Sequence, residues 1–382
     1  MRIAYVINSV EGGGAAFPAP AVARLLCDHG ATVAVFALTR RDGRALPAMT
    51  AAGLEVHVRA GGEKDHLAAM LWLNRSLEAW RPDLIWTSLT RATLLGQLVG
   101  QLRKLPVVSW QHAAFLKPAN RLLLRARRDA SVLWIADSQC VAALTAERLA
   151  VPPERLAVWP LFAADRAAPR ARPWRPGEPV RLGSLGRLHP VKGYDVLLAA
   201  LARLQADGFR PAAPFEVTVG GEGAERAALE AAIAAHGLDN VRLPGFADRP
   251  REFLAGQHLY LQPSRSEGLC IAVHEAMQAG LPIVASAVGE IPYSVEEGVM
   301  GHVVPPRDPA ALAWAIAALL ARPERLAAMG EAARAQVLDG FGEAAFARAG
   351  AAVMERLPLS GAPLAAAVAR RPRALPASGR SA

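Results

Sequence analysis

The chain has 382 residues, 43 Lys and Arg against 34 Asp and Glu, and a formal net charge of +9. That length exceeds one ordinary core and predicts two domains, and the 52% hydrophobic share is inflated by alanine, so it argues weakly for membrane residence. Cys27, Cys140 and Cys270 are scattered without a Cys-x-x-Cys pair, which argues against a structural zinc or a disulfide framework and suits a reducing cytoplasm.

In chain order, "RIAYVIN" predicts a buried first strand; it lacks the longer apolar region and cleavage site of a signal peptide. In "NSVEGGGAAFPAP", Gly12, Gly13 and Gly14 would let the backbone approach a ligand at a turn into a helix, whose amino end favours phosphate. A tight turn without a ligand is the alternative. The stretch is not the dinucleotide fingerprint, because Phe17 stands where the last glycine is needed, and no Gly-Lys-Ser/Thr marks a P-loop. "TVAVFAL", "EVHV", "DLIWTS", "PVVSW" and "LWIADS" read as further strands, alternating with helical patterns such as "AVARLLCDHG" and "HLAAMLWLNRSLEAWRP". His112 follows "PVVSW" at a strand's carboxyl end, either as a plain loop residue or as a catalyst. In "FLKPANRLLLRARRDASVLW", Lys117, Arg121, Arg125 and Arg128 recur at three- to four-residue spacing with Leu122, Leu123 and Leu124 between them. Such a helix is either a solvated basic surface or one that rests on anionic lipid. Nucleic acid is disfavoured as a partner, since no aromatic residues are interleaved with the cations.

The Pro-, Arg- and Ala-rich stretch 163–179 has no apolar periodicity and places a linker at 166–179, between a domain over 1–165 and another over 180–357. Beyond it, "VRLGSLG", "FEVTVGG", "VRLPG", "LYLQPS" and "PIVAS" alternate with "YDVLLAALARLQADG" and "GAERAALEAAIAAHG". Strand–helix alternation in both halves predicts an α/β protein of two doubly wound domains facing across a cleft, with ligands beyond the carboxyl ends of the strands. The loop in "GRLHPVKGYDVLLAAL" carries Arg187 and Lys192 ahead of a helix near Tyr194. Two cations there form a diphosphate clamp, unless the loop is merely solvated. "VGGEGAERAALE" repeats the strand–glycine–helix arrangement with Gly221, and Phe246 in "LPGFADRP" either meets a nucleobase or sits in the core. "AALAWAIAALLA" at 310–321 is too short to span a bilayer and reads as a core helix. The tail 358–382 has little that could pack and is expected to be disordered.

"PSRSEGLCIAVHEAMQAGLPIVAS", residues 263–286, places two acids around a predicted strand–loop–helix. The N–H groups of Gly268, Leu269, Cys270 and Ile271 would be unsatisfied donors at the helix start and form an anion site. Glu267 and Glu275 beside it suit hydroxyls rather than anions, which describes a pocket for a sugar phosphate. Taken singly, they read as a capping acid and an exposed helix acid. This Glu-x7-Glu pattern, the Arg…Lys element "GRLHPVKGYDVLLAAL" and "GGEGAERAALEAAIAAHGLDNVRLPGF", following the glycine loop in order, resemble the retaining glycosyltransferases of family 4, over about residues 1–355.

That resemblance implies the two-Rossmann-domain GT-B fold and a nucleotide-sugar donor. Arg187 and Lys192 would hold the diphosphate, Glu275 the ribose and Glu267 the transferred sugar, with the amides of Gly268, Leu269 and Cys270 beside it. Gly14, with Gly13, would approach the phosphates from the other domain, and His112 matches the family's histidine near the sugar. The family often reads Glu-Gly-Phe-Gly where this chain has "EGLC", which leaves the sugar's identity open. The expected activity is a retaining hexosyl transfer from a UDP-sugar first and a GDP-sugar second, to a glycan or lipid-linked glycan acceptor. No cofactor is expected, and no metal either, because the chain has no Asp-x-Asp. A nucleotide-sugar epimerase and a non-catalytic nucleotide-sugar-binding protein are the alternatives; a dehydrogenase fails with the dinucleotide fingerprint. The expected location is the cytoplasm, with peripheral contact to the inner face of its membrane.

Overall fold

In a computed structural model describing residues 1–112 and 116–357, the chain forms two units, one built on residues 1–112 and 116–159 and rejoined from Arg348, the other on Pro160–Ala347. The first unit holds seven strands: β1 (Arg2–Ile7), β2 (Thr32–Ala37), β3 (Glu55–Val58), β4 (Leu84–Ser88), β5 (Val107–Gln111), β6 (Leu133–Ala136) and β7 (Leu156–Val158). The second holds β8 (Val180–Leu185), β9 (Phe215–Gly220), β10 (Val241–Gly245), β11 (Leu259–Gln262), β12 (Ile283–Ser286) and β13 (Gly301–Val304). Every pair is parallel, and the orders are β3-β2-β1-β4-β5-β6-β7 and β10-β9-β8-β11-β12-β13.

Both orders run outward from a central pair and reverse there, between β1 and β4 and between β8 and β11. This is the doubly wound arrangement whose ligands lie at the reversal, beyond the strands' carboxyl ends. Central strands such as β1, β4 and β5 are buried on both faces, which is why they read as nearly unbroken apolar runs. In the second unit Leu182, Val217, Leu259 and Val284 pack against Leu197, Leu201 and Leu204 of the helix Tyr194–Ala206 and Leu312 and Ile316 of Pro309–Leu320. The last of these is the expected core helix, capped by Asp308, whose side chain accepts from the Ala310 and Ala311 amides.

Several boundaries differ from the sequence reading. The edge strands β7 and β13, of three and four residues, are half-exposed and carry too little pattern to be recognised. The segment 166–179 docks on the second unit: the Ala171 amide donates to Ala279 O at 2.7 Å, and Trp174 packs on that unit's core. The helix Glu343–Glu355 starts in the second unit but from Arg348 belongs with the first. There Gly350 lets it pass so close to Leu25 and Trp159 that a Cβ would stand 2.5 and 2.7 Å from their atoms. The tail 358–382 lies outside the described residues. No helix among the described residues is long and apolar enough to cross a membrane.

Candidate active site

In the second unit, the loops that follow β8 and β11 meet at the sheet's reversal point. Gly193, at φ +67°, needs to be glycine twice over: its backbone is left-handed, and a Cβ would stand 2.1 Å from Pro263 O. Arg265 stitches the same loops. Its amide donates to Val191 O at 2.8 Å, one guanidinium nitrogen reaches Pro190 O at 2.6 Å, and the group pairs with Asp195.

Within that frame Lys192 Nζ donates to Glu267 Oε1 at 2.7 Å. The same oxygen accepts from Ser264 Oγ at 2.6 Å and from Gln262 Nε2 at 3.1 Å. Gln262 is itself fixed by the Tyr260 hydroxyl, which donates to its Oε1 at 2.8 Å. Three donors therefore converge on Glu267 Oε1, and Oε2 takes none of these bonds. Burial pulls the Lys192 ammonium down, but the Glu267 charge and hydrogen bond outweigh it and the pKa rises. Arg187, on the same loop, is exposed and enters no ion pair among the described residues. The sequence set Lys192 beside Arg187 as joint holders of a diphosphate; the contact of Lys192 with Glu267 is an addition it did not foresee.

Cys270 precedes the helix Ile271–Gln278 with φ +64°, a left-handed conformation unusual for a side chain with a Cβ. Its thiol is buried, and burial with the Glu267 charge pushes its pKa well up. Leu269 is buried too, and Gly268 packs its carbonyl against Gly289, where a Cβ would come within 2.3 Å. Glu275 lies one turn into the helix, makes no ion pair among the described residues, and is pushed up to about 7 by burial, which the Arg251 charge opposes. On the neighbouring strands Gly221 passes Gly186 O so closely that a Cβ would come within 1.9 Å. This close packing of the two loops is a reason for glycine at position 221 that holds with or without a ligand. Phe246 follows β10 at the same end of the sheet and is partly exposed.

In the first unit the glycine loop follows β1, where the Gly12 amide donates to Asp42 Oδ1 at 2.9 Å. Gly13 has open space where its Cβ would be, and Gly14 is exposed. The loop does not run straight into a helix: turns closed by Ala16 and Phe17 amides on Gly13 O intervene, and the helix starts at Ala19 behind Pro18. His112, just past β5, is held between Ser88 and Asp137, at 2.7 and 3.2 Å. The sequence reading missed these two partners, although Ser88 and Asp137 also stand at strand ends. It also missed Gln262, Ser264 and Arg265, whose signal was their place just before Glu267, at the end of β11 and on the loop after it.

The basic segment forms the helix Pro118–Ala126 after Lys117, with Leu124 buried and Leu122 and Leu123 69% and 50% exposed. Lys117, Arg121 and Arg125 are exposed. Arg128 departs from the expected row. The helix stops two residues before it, and a short turn Arg128–Ala130 turns its side chain onto Asp129 and Arg125 O, while its carbonyl accepts from Trp134 Nε1.

The family models for glycosyltransferase family 4 and for glycosyl transferases group 1 match residues 12–163 and 165–336. The chain is 30% identical over 353 residues to a D-inositol 3-phosphate glycosyltransferase of Thermobispora bispora, covering 81% of this chain and 82% of that protein. It is 34% identical over 191 residues to the amylovoran biosynthesis glycosyltransferase AmsK of Erwinia amylovora, covering 47% and 46% of the two chains. In fold it is similar to Anabaena HepE, solved in complex with UDP-glucose, with a TM-score of 0.79, 21% identity, and 94% and 100% of the chains covered. With both halves matched in order and four-fifths of the chain aligned to that relative, the protein belongs to the group 1 glycosyltransferases of family 4.

Proposed function

We propose that this glycosyltransferase moves a hexosyl group from a nucleotide-sugar, a UDP-sugar first and a GDP-sugar second, to a glycan or lipid-linked glycan acceptor in envelope or polysaccharide synthesis. Transfer retains configuration and needs no metal. The observation that carries this is Glu267: a carboxylate saturated by three donors on one oxygen, at the point where an α/β sheet binds its ligand. Its other oxygen is then an oriented acceptor for sugar hydroxyls. Glu275, one turn on, accepts from the ribose pair. HepE's complex with UDP-glucose supports the UDP choice, and the inositol phosphate named for the Thermobispora relative supports an anionic acceptor as a second reading.

Charge dictates the rest. Breaking the anomeric C–O bond leaves an anionic nucleoside diphosphate and a sugar with cationic character, so fixed positive groups at the departing phosphate lower the barrier. Arg187, whose guanidinium enters no ion pair among the described residues, can offer it to two phosphate oxygens. Lys192 keeps two of its three N–H donors after serving Glu267. No protein base is assigned; the departing phosphate takes the acceptor's proton on the face it leaves. The exposed basic helix Pro118–Ala126 supports work at the inner face of the cytoplasmic membrane, where lipid-linked acceptors are presented.

A thermal-shift panel of UDP, GDP, ADP and their sugars, with EDTA or with Mg²⁺, tests this on wild type and Glu275→Gln. A ligand at a hundred times its Kd adds about 2.7 kcal/mol. One nucleotide family should stabilise the wild type equally in EDTA and Mg²⁺, and lose most of that effect in the variant. No shift with any nucleotide would sink the donor reading, and a shift only with Mg²⁺ would sink metal independence.

A further inference from the structure

His112 is held by two residues that nothing in the donor chemistry above requires. Register explains the meeting. Ser88 pairs with Trp110, and Gln111 pairs with Ala136, across adjacent parallel strands. Paired residues of parallel strands send their side chains to the same face, so His112 and Asp137, each one step further, also stand side by side. The Trp110 ring packs 5.5 Å from the imidazole, and the buried Tyr5 hydroxyl faces Ser88. The His112 and Asp137 side chains are only 7% and 5% exposed, and Ser88 is fully buried. Among the described residues Asp137 Oδ1 is buried without a hydrogen-bond partner, so the carboxylate's hydrogen bonding there runs through Oδ2 to the ring.

A carboxylate only accepts, so the proton between Asp137 and the ring belongs to Nδ1. The neutral ring then has Nε2 as its acceptor, and the Ser88 hydroxyl, 2.7 Å away, is the donor that completes it. These spacings match those of a nucleophilic Ser–His–acid triad. A nucleophile, however, needs a substrate atom about 3 Å from its oxygen, and buried Ser88 has no exposed surface to offer one.

We propose instead that Asp137 is a positioning residue: it locks His112 in the Nδ1–H tautomer, with Ser88 closing the other side, so that a bound sugar meets a ring fixed in one orientation. This rests on the reading that His112 flanks the transferred sugar. Without Asp137 the remaining partner, Ser88 Oγ, can accept as well as donate, so the proton should move to Nε2 and the ring lose its second anchor.

The test uses full-length protein labelled with [15N]histidine. Two-bond proton–nitrogen spectra distinguish the tautomers of each imidazole, and His112→Gln identifies the signal by its loss. Wild type should show Nδ1–H at His112. Asp137→Leu, which fills the buried site without an acceptor, should show Nε2–H, with kcat down about tenfold or more and the donor KM within about threefold. Ser88→Ala should keep Nδ1–H. A wild-type ring protonated on Nε2 overturns the proposal without any variant, which decides the matter even where Asp137→Leu fails to fold. So does an Asp137→Leu protein that keeps Nδ1–H, or one that loses it with kcat unchanged. A wild type that transfers no sugar counts against the donor reading, while its imidazole spectrum still decides the lock.

Discussion

Glu275 and Glu267 show how two carboxylates eight positions apart acquire different duties from their surroundings. Glu267 is met by three donors, so its charge is compensated before any ligand arrives. Glu275 has no ion-pair partner among the described residues, and burial raises its pKa from 4.5 to about 7. The sign of the consequence follows. A carboxyl with a raised folded pKa keeps its proton between the unfolded and folded values, so its contribution to stability declines as pH rises from about 4.5 to 7. On the proposal that Glu275 holds the ribose, the ribose hydroxyls would donate to the ionised form, so nucleotide binding would expel that proton. Affinity for UDP should therefore be about tenfold weaker at pH 6 than at pH 8, measured by titration calorimetry. The nucleotide's own phosphate titrates in this range as well, so Glu275→Gln is the control. It should bind more weakly and keep only the ligand's share of the slope. An unchanged slope in that variant would remove Glu275 from the ribose site.

At the scale of elements, the helix Ile271–Gln278 begins on a strained residue. An L-residue in the left-handed region costs roughly 1–2 kcal/mol, and Cys270 accepts that cost at φ +64° with its thiol packed beside Glu267. At an ordinary buried helical position glycine is about 1 kcal/mol worse than alanine. Here the order should invert. Cys270→Ala loses the sulfur and keeps the strain, whereas Cys270→Gly loses the sulfur and the strain together. Urea unfolding should find the glycine variant more stable than the alanine variant by about 1 kcal/mol; the reverse order would mean that the backbone is not left-handed there in solution. The sequence hid this because φ is not legible from "EGLC" alone. The alternation of strands and helices was legible, since central parallel strands must be apolar on both faces, as in "LIWTS" and "LYLQ". Ser88 and Asp137 were not, because a serine and an aspartate at strand ends read as ordinary loop residues until register sets them beside His112.

For the molecule as a whole, the basic charge is concentrated rather than spread. Residues 1–175 carry 23 Lys and Arg against 13 Asp and Glu, while residues 176–357 carry 16 against 21. A uniform excess would serve colloidal solubility alone; a segregated one would, on the proposal of membrane contact, orient the molecule toward an anionic surface. The helix Pro118–Ala126 supplies what such an orientation needs, with exposed Lys117, Arg121 and Arg125 alongside the exposed Leu122 and Leu123. Each cation near an anionic leaflet contributes about 1 kcal/mol, and the two leucines add apolar area that pure charge attraction lacks. The two contributions separate by salt. At 1 M the screening length is about 3 Å, so the electrostatic part should vanish while leucine insertion persists. Vesicles containing phosphatidylserine should sediment the protein at low salt and much less at 1 M, and vesicles of neutral lipid should sediment little at either. Arg121→Glu with Arg125→Glu should abolish the low-salt binding and leave the nucleotide-induced thermal shift intact, because those side chains lie in the other unit from Glu267 and Glu275. Wild type that stays in the supernatant with anionic vesicles at low salt would make the helix a solvated surface.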